Sequence, residues 1–212
     1  MLIYAVADIH GRKKRIASMH DIISSNEPDV LVLAGDINSL FSSSNIMSYF
    51  SNAHMPVLVV RGNTDSKKIA AAFPVSSNIS FLHFSEIVIN GFSFTGVSGT
   101  IPVPFSSRIQ FREKQTTEKL EPLVRKDTIL IAHPPPFGTL DKVLGKFHAG
   151  CKSLLEIVSR RQPQLLICGH IHEMPGSAFL GKTLVVNCSI GMKGKGALIE
   201  LNNNQPPVVE ML

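Results

Sequence analysis

Five short signatures in this sequence carry metal-binding side chains, and three of them set a glycine, which lets a backbone turn, directly before the donor. They are Asp8-Ile9-His10, Gly35-Asp36, Gly62-Asn63-Thr64-Asp65, His133 and Gly169-His170-Ile171-His172. Their donors are the carboxylates of Asp8 and Asp36, the amide of Asn63, and the imidazoles of His10, His133, His170 and His172. Oxygen and nitrogen donors without a thiolate suit Mn, Fe, Zn, Co or Ni better than Ca. Asp8 and His10, two residues apart on what reads as an extended segment, would project the same way and reach one metal; His170 and His172 repeat the spacing. Gly35, Gly62 and Gly169 each directly precede a donor, where a missing side chain permits a tight turn. Singly, each signature is weak. An Asp-x-His ends many ordinary strands, Gly-Asp and Gly-Asn are common turn dipeptides, and His133 before three prolines could merely close a strand. The force lies in all five occurring in order, each just after a predicted strand.

Those strands are the elements that must position the donors. Apolar runs at 2–7, 30–34, 57–60, 129–132, 165–168 and 184–186 are rich in Val, Ile and Leu and do not alternate with polar residues. Such runs predict strands buried on both faces. Helical spacing of apolar residues falls between several of them: Ile16, Met19, Ile22 and Ile23, with Pro28 as the stop; Ile46, Met47, Phe50 and Ala53; Leu120, Leu123 and Val124; Leu154, Leu155 and Val158, ending near Pro163. Residues 86–90 and 92–97 alternate around Gly91 and predict a β-hairpin. Residues 197–201 and 208–211 flank the polar NNNQPP turn and predict another. The expected product is a layered α/β sandwich with mixed sheets. Ligands in such sheets gather at the carboxyl ends of strands. Residues 98–115 lack a period and read as a surface loop, within which 102–105 suits a lid, a polyproline-like loop or a homodimer surface.

The bulk composition agrees. A chain of 212 residues with 44% hydrophobic and 17% charged residues can bury a substantial core, and residues 1–212 read as one domain. A net charge of +5 suits an anionic substrate, but no dense cationic run marks a nucleic-acid binder. Arg12, Lys13, Lys14 and Arg15 read first as a solvated helix start and second as a means of steering phosphates. Cys151, Cys168 and Cys188 show neither zinc spacing nor secreted-scaffold density. With no signal-like or membrane-spanning segment in the sequence, the expectation is a cytoplasmic protein without a membrane partner. His20, His54 and His83 read as structural. The 191–196 segment GMKGKG lacks P-loop spacing and reads as a turn into the final hairpin.

Taken together, the series DxH, GD, GN, H and GHxH resembles the calcineurin-like metallophosphoesterase superfamily across residues 8–172. The stretch from HPPPFGTLDKV to CGHIHE is similar to its small prokaryotic branch related to cyclic-nucleotide phosphodiesterases. The resemblance implies a four-layer αββα sandwich, with two mixed β-sheets flanked by helices. It also implies two divalent metals, manganese foremost. Asp8, His10 and His172 would bind the first and Asn63, His133 and His170 the second, with Asp36 bridging. Two such metals share a water, lower its pKa and clamp the phosphoryl oxygens during in-line attack by hydroxide, so no Ser or Cys nucleophile is required. Asp36 and Asn63 are thereby catalytic as well as ligating. Asp65 is a candidate partner for the ligands themselves.

One position departs from the pattern. Many family members carry His directly after the motif Asn, where it helps protonate the leaving oxygen; here the residue is Thr64. A general acid contributes about 10²- to 10⁴-fold in rate, so the change favours phosphodiesters or activated aryl esters, cyclic nucleotides among them, over simple alkyl monoesters. His148 is the candidate substitute acid. Asn63, Thr64 and Lys152 are candidate substrate contacts, with the helix start at Lys152 meeting phosphate. Two alternatives share the fold: a catalytically weak protein-binding scaffold, as in the retromer subunit of this family, and a metal-dependent nuclease, whose relatives carry additional DNA-capturing domains.

Overall fold

The apolar runs become the centre of two six-stranded sheets. The computed structural model describes residues 1–38, 49–50, 53–66, 78–99, 113–192, 194–202 and 205–212. The first sheet comprises β1 (Leu2–Val6), β2 (Val30–Ala34), β3 (Val57–Val60), β4 (Ile79–Phe81), β13 (Ala197–Glu200) and β14 (Val208–Met211). Its order is β14-β13-β1-β2-β3-β4. The second comprises β5 (Ser85–Ile89), β6 (Phe92–Val97), β7 (Thr128–Ala132), β10 (Leu165–Cys168), β11 (Gly176–Leu180) and β12 (Thr183–Asn187), in the order β11-β12-β10-β7-β6-β5. Strands β1 to β4 pair in parallel, as do β6, β7, β10 and β12. Antiparallel β13–β14, β5 and β11 complete them, so both sheets are mixed. A short antiparallel ribbon, β8 (Lys142–Val143) and β9 (Phe147–His148), stands apart.

The two-residue period of the strands sorts their side chains into separate layers. Ile3, Ala5, Val32, Val60, Ile129, Ile131 and Ile167 pack into one cluster between the sheets. Their neighbours Tyr4, Val6, Leu31 and Leu33 face the other way, onto Ile16 and Met19 of helix α1 (Lys13–Asn26). Leu130, Ala132 and Leu166 pack against Leu154, Ile157 and Val158 of α3 (Lys152–Arg161), with Leu120 of α2 (Glu113–Leu120). Three apolar interfaces separating four layers make an αββα sandwich. Each buried Val, Leu or Ile contributes about 1.5–3 kcal/mol.

Most predicted strands stand within a residue or two of their expected bounds. In the first hairpin, Asn90 and Gly91 both have positive φ (52° and 82°), the conformation that a two-residue turn matching strand twist requires. β4, β8, β9 and β11 were not foreseen; they are short or edge strands without a buried apolar run. Residues 46–47 of the second helical pattern lie outside the described residues, while Phe50 is buried against α1's cluster. The loop expected at 98–115 ends earlier than its pattern suggested, because Glu113 already opens α2. Its middle, including 102–105, lies outside the described residues. Among the described residues, no helix is long and apolar enough to cross a membrane. All three cysteines are buried, and none is joined in a disulfide.

Candidate metal centre

The five signatures follow β1, β2, β3, β7 and β10, at the carboxyl ends of parallel strands in both sheets. Backbone hydrogen bonds zip the first two loops together: Asp8 N donates to Gly35 O (3.0 Å), His10 N to Asp36 O (2.9 Å) and Gly11 N to Ile37 O (2.9 Å). Gly169 N donates to His133 O (2.8 Å), joining the last two. The segment holding Asp8 and His10 is not extended as its spacing suggested. Asp8 (φ 64°), His10 (φ 51°), Asp36 (φ 53°) and His170 (φ 70°) all adopt the left-handed conformation, which costs L-residues roughly 1–2 kcal/mol each. Burial in the strand layers outweighs this strain, which collects where the donors must turn out of the sheets.

The glycines also act differently from the expectation. Only Gly35 has positive φ (95°). What all three share is contact. A Cβ on Gly35 would lie 2.4 Å from His133 Nδ1, one on Gly62 2.2 Å from Asp36 Oδ1, and one on Gly169 2.2 Å from Ala7 Cβ and 2.9 Å from Asp8 Oδ2. Their bare backbones are the walls against which donors seat.

Two donor groups result, Asp8–His10–His172 and Asp8–Asp36–His133, each with its ligand atoms within 4.8 Å of one another. His10 Nε2 faces His172 Nε2 at 3.5 Å. Asp36 lies between the groups, with Oδ2 3.9 Å from His10 Nε2 and Oδ1 3.6 Å from His133 Nε2. Asn63 Oδ1 is 3.1 Å from the same His133 nitrogen. His133 Nδ1 donates to Ala34 O (2.8 Å), which leaves Nε2 as the atom turned toward the cluster. The His170 ring packs edge-on to His133 at 5.0 Å, and His170 N donates to Asp8 Oδ2 (3.0 Å). Asp8 and His133 are fully buried, whereas the His10 and His172 side chains are 23% and 35% exposed. Access is therefore from the His10–His172 side.

The charges interlock. Burial opposes ionisation of Asp8, but His172 and His133 hold its carboxyl well below the usual range. Burial also opposes charge on His133, and Asp36 and Asp8 outweigh it, raising that imidazole. Burial, with His133 alongside, pushes His170 down to about 3; a neutral imidazole is the ligating form. One atom bears directly on whether a cation fits. Asp8 Oδ1 is buried and, among the described residues, has no hydrogen-bond partner, although His172 Nε2 stands 3.2 Å away as an ion-pair neighbour. An ionised oxygen left this way costs several kcal/mol unless something positive meets it, and the imidazoles around it are the donors a transition metal takes. The residues present fit the metals.

Around the seven, the other expected residues divide. Asp65 is buried and accepts from Ile37 N (3.0 Å), Asn38 N (2.9 Å) and Gly62 N (2.9 Å), tying the Asp36 loop to the Asn63 loop. Burial and the neighbouring Asp36 raise its carboxyl to about 6. Thr64 differs from the substrate-facing donor expected: its hydroxyl donates to Asn38 O (2.8 Å) and its N–H to Asp36 Oδ1 (2.8 Å), so its protons are spent holding the loop. His148 lies on the β8–β9 ribbon, its Nδ1 2.7 Å from Asp141 Oδ1, and contacts Phe137. Lys152 Nζ sits 5.6 Å above the Phe137 ring. The ribbon is fastened to the His133 strand end by Cys151 N donating to Pro135 O (2.8 Å). His20 stacks on Phe50, and His83 Nδ1 accepts from Ser98 N, both structural roles. Two participants were missed. Arg15, read as part of a solvated helix start, bonds three backbone carbonyls of the site loops. Gly191, read as a plain turn residue, backs the His172 ring. An arginine at 15 where a lysine would serve equally for solubility was the one available signal, and Arg12 in the same cluster carries it as well.

The model for calcineurin-like phosphoesterases matches residues 1–174. The chain belongs to this family. It is accordingly a metal-dependent phosphoesterase, a hydrolase acting on phosphoesters. It is 28% identical to an uncharacterized protein of Methanocaldococcus jannaschii, over 89% of this chain and 88% of that one. It is 38% identical to human metallophosphoesterase domain-containing protein 1, over 54% of this chain but only 36% of that protein. Among solved structures, a dimetal phosphatase from Danio rerio superposes with a TM-score of 0.70 at 11% identity, covering 100% of this chain and 95% of that one. An archaeal phosphodiesterase superposes with a TM-score of 0.59 at 15% identity, covering 100% of both. These likenesses show the shared fold.

Proposed function

We propose that this member of the family is a dinuclear phosphodiesterase. The carrying observation is Asp36, whose two carboxylate oxygens are turned one toward each donor group. Asp8, His10 and His172 would hold one divalent cation, Asn63, His133 and His170 the other, and Asp36 both, with manganese first among Mn, Fe, Zn, Co and Ni. Two cations so held supply Lewis acidity to a water and to the phosphoryl oxygens. The chain's own residues do the rest. Asp65 and Thr64 fix the Asp36 and Asn63 loops, and the half-open His10–His172 side admits the ester. As the attacking water oxygen bonds phosphorus and sheds its proton to solvent, the phosphorus–oxygen bond to the leaving group breaks. The leaving oxygen takes a proton from His148 Nε2, whose ring is aimed by the buried Asp141 carboxylate. Lys152 would meet a peripheral phosphate oxygen. β13 pairs with β1, and β14 with β13, which supports treating 1–212 as one catalytic unit. The complete donor set and the orphaned Asp8 Oδ1 weigh against a scaffold role.

The test is metal analysis by inductively coupled plasma together with a panel of phosphomonoesters, aryl and alkyl phosphodiesters and cyclic nucleotides across Mn, Ni, Co, Zn and Mg. Two equivalents of metal and preferred cleavage of diesters are expected; fewer than one equivalent at saturation, or faster monoester turnover, overturns the proposal. His148→Ala should lower turnover of an alkyl diester by about 10²- to 10⁴-fold while sparing an aryl diester with a good leaving group. Equal effects on both would remove His148 as the acid.

A further inference from the structure

Two residues outside the seven converge on the exposed half of the centre from opposite ends of the chain. Arg15, on the first turn of α1, donates from one guanidinium nitrogen to Asp8 O (2.7 Å) and Ile9 O (3.2 Å) and from the other to Gly191 O (2.5 Å). The loop that presents Gly191 is itself locked to the strand end beneath Asp8: Ala7 N donates to Cys188 O (3.2 Å) and Ile190 N to Ala7 O (3.0 Å). Gly191 N donates to Ser189 Oγ (3.2 Å). Gly191 then meets the His172 ring so closely that a Cβ there would lie 2.4 Å from Cγ and 2.6 Å from Nδ1 and Cδ2. That approach leaves no space for any side chain.

We propose that Arg15 and Gly191 form a positioning pair for the Asp8–His10–His172 half of the centre. Arg15 clamps the loop bearing Asp8 and His10 to the loop bearing Gly191, and Gly191 is the wall that sets the His172 ring. The fork of a guanidinium is what the geometry uses: three carbonyls in two directions. A lysine would bring the same charge, but its three N–H donors diverge from one nitrogen and cannot reach both loops as two separated nitrogens do. This inference rests on the metal-binding reading above. It adds that the affinity of one of the two metal positions is set by a helix residue and a glycine that ligate nothing.

Competitive metal titration with a chromophoric chelator, on the wild-type chain and on Arg15→Gln, Arg15→Lys and Gly191→Ala, tests it. Each variant should weaken one of the two binding steps by about 10- to 100-fold, the range typical for lost ligand-orienting contacts, and the other, which shares only Asp8 with the displaced loops, by clearly less. Arg15→Lys should resemble Arg15→Gln; rescue by lysine would mean that charge alone matters and would overturn the clamp. Equal loss at both steps would indicate general destabilisation and would likewise overturn it, as would unchanged affinity. A second arm reads the ring without metal: long-range ¹H–¹⁵N spectra of the metal-free chain should show the His172 imidazole signals displaced in Gly191→Ala and undisplaced in Gly91→Ala. Should the wild-type chain bind no metal, the functional reading falls, and this arm alone decides whether Gly191 positions His172.

Discussion

Replacing Gly62 by alanine isolates the close approach that shapes the centre. An alanine Cβ would lie 2.2 Å from Asp36 Oδ1 and 2.5 Å from Asp36 N. Ordinary contact begins near 3.4 Å, so the carboxylate must retreat by about 1.2 Å, a displacement of the size that costs on the order of 10²-fold in catalysis. Retreat is resisted, because the same oxygen accepts from Thr64 N at 2.8 Å and the Gly62 N–H is itself held by Asp65. Since φ at Gly62 is not in the left-handed region, the perturbation acts through contact and not through backbone strain. Gly91→Ala supplies the converse. Its φ is 82°, and among the described residues nothing lies within 4 Å of the added carbon, so it should cost about 1–2 kcal/mol in stability and nothing at the centre. Because Asp36 faces both donor groups, Gly62→Ala should weaken both metal-binding steps by about 10- to 100-fold and lower kcat for an aryl diester by about 10²-fold. Chelator competition and steady-state kinetics on folded protein, verified by near-ultraviolet circular dichroism, make the measurement. Wild-type metal content with wild-type turnover in Gly62→Ala would refute the argument that bare backbone positions Asp36.

Two further outcomes follow from the same geometry. Stripping metal with a chelator should lower the melting temperature: occupancy at 100 times Kd contributes about 2.7 kcal/mol per site, so a scan with and without saturating Mn should separate clearly. Coincident scans would contradict metal binding in the folded state. Tyr4→Phe removes a buried hydroxyl that donates to Lys195 O at 2.6 Å. It should lower unfolding free energy in urea by about 1–3 kcal/mol, the cost of leaving that carbonyl unpartnered, with metal content unchanged; metal loss would tie the 195 region to the centre more closely than the contacts described.

The sequence made the donors and the strands that carry them readable for one reason: both are encoded by residue type at short range. A Val-Ile-Leu run buried on both faces has few alternatives to a central strand, and Asp8, Asp36, His133 and His170–His172 fall where such runs stop. The edge strand β11 and the ribbon β8–β9 gave no such signal, since strands of that kind bury too little to leave an apolar pattern. The site residues that escaped notice work through backbone atoms. Arg15 bonds carbonyls, which every residue possesses, and one of them is 176 positions away. Gly191 matters for what it lacks, and that is visible only once the His172 ring stands against it. Thr64 was legible as the absence of a histidine, but the direction of its hydroxyl was not, because the acceptor, Asn38 O, belongs to a different strand end. Sequence alone thus singled out the side chains that could hold metal and, by their place just after predicted strands, the sheet ends where they would gather. Tertiary structure decided how they are held: left-handed turns, glycine walls and carbonyl clamps are properties of close approach between distant segments, and no local spacing records them.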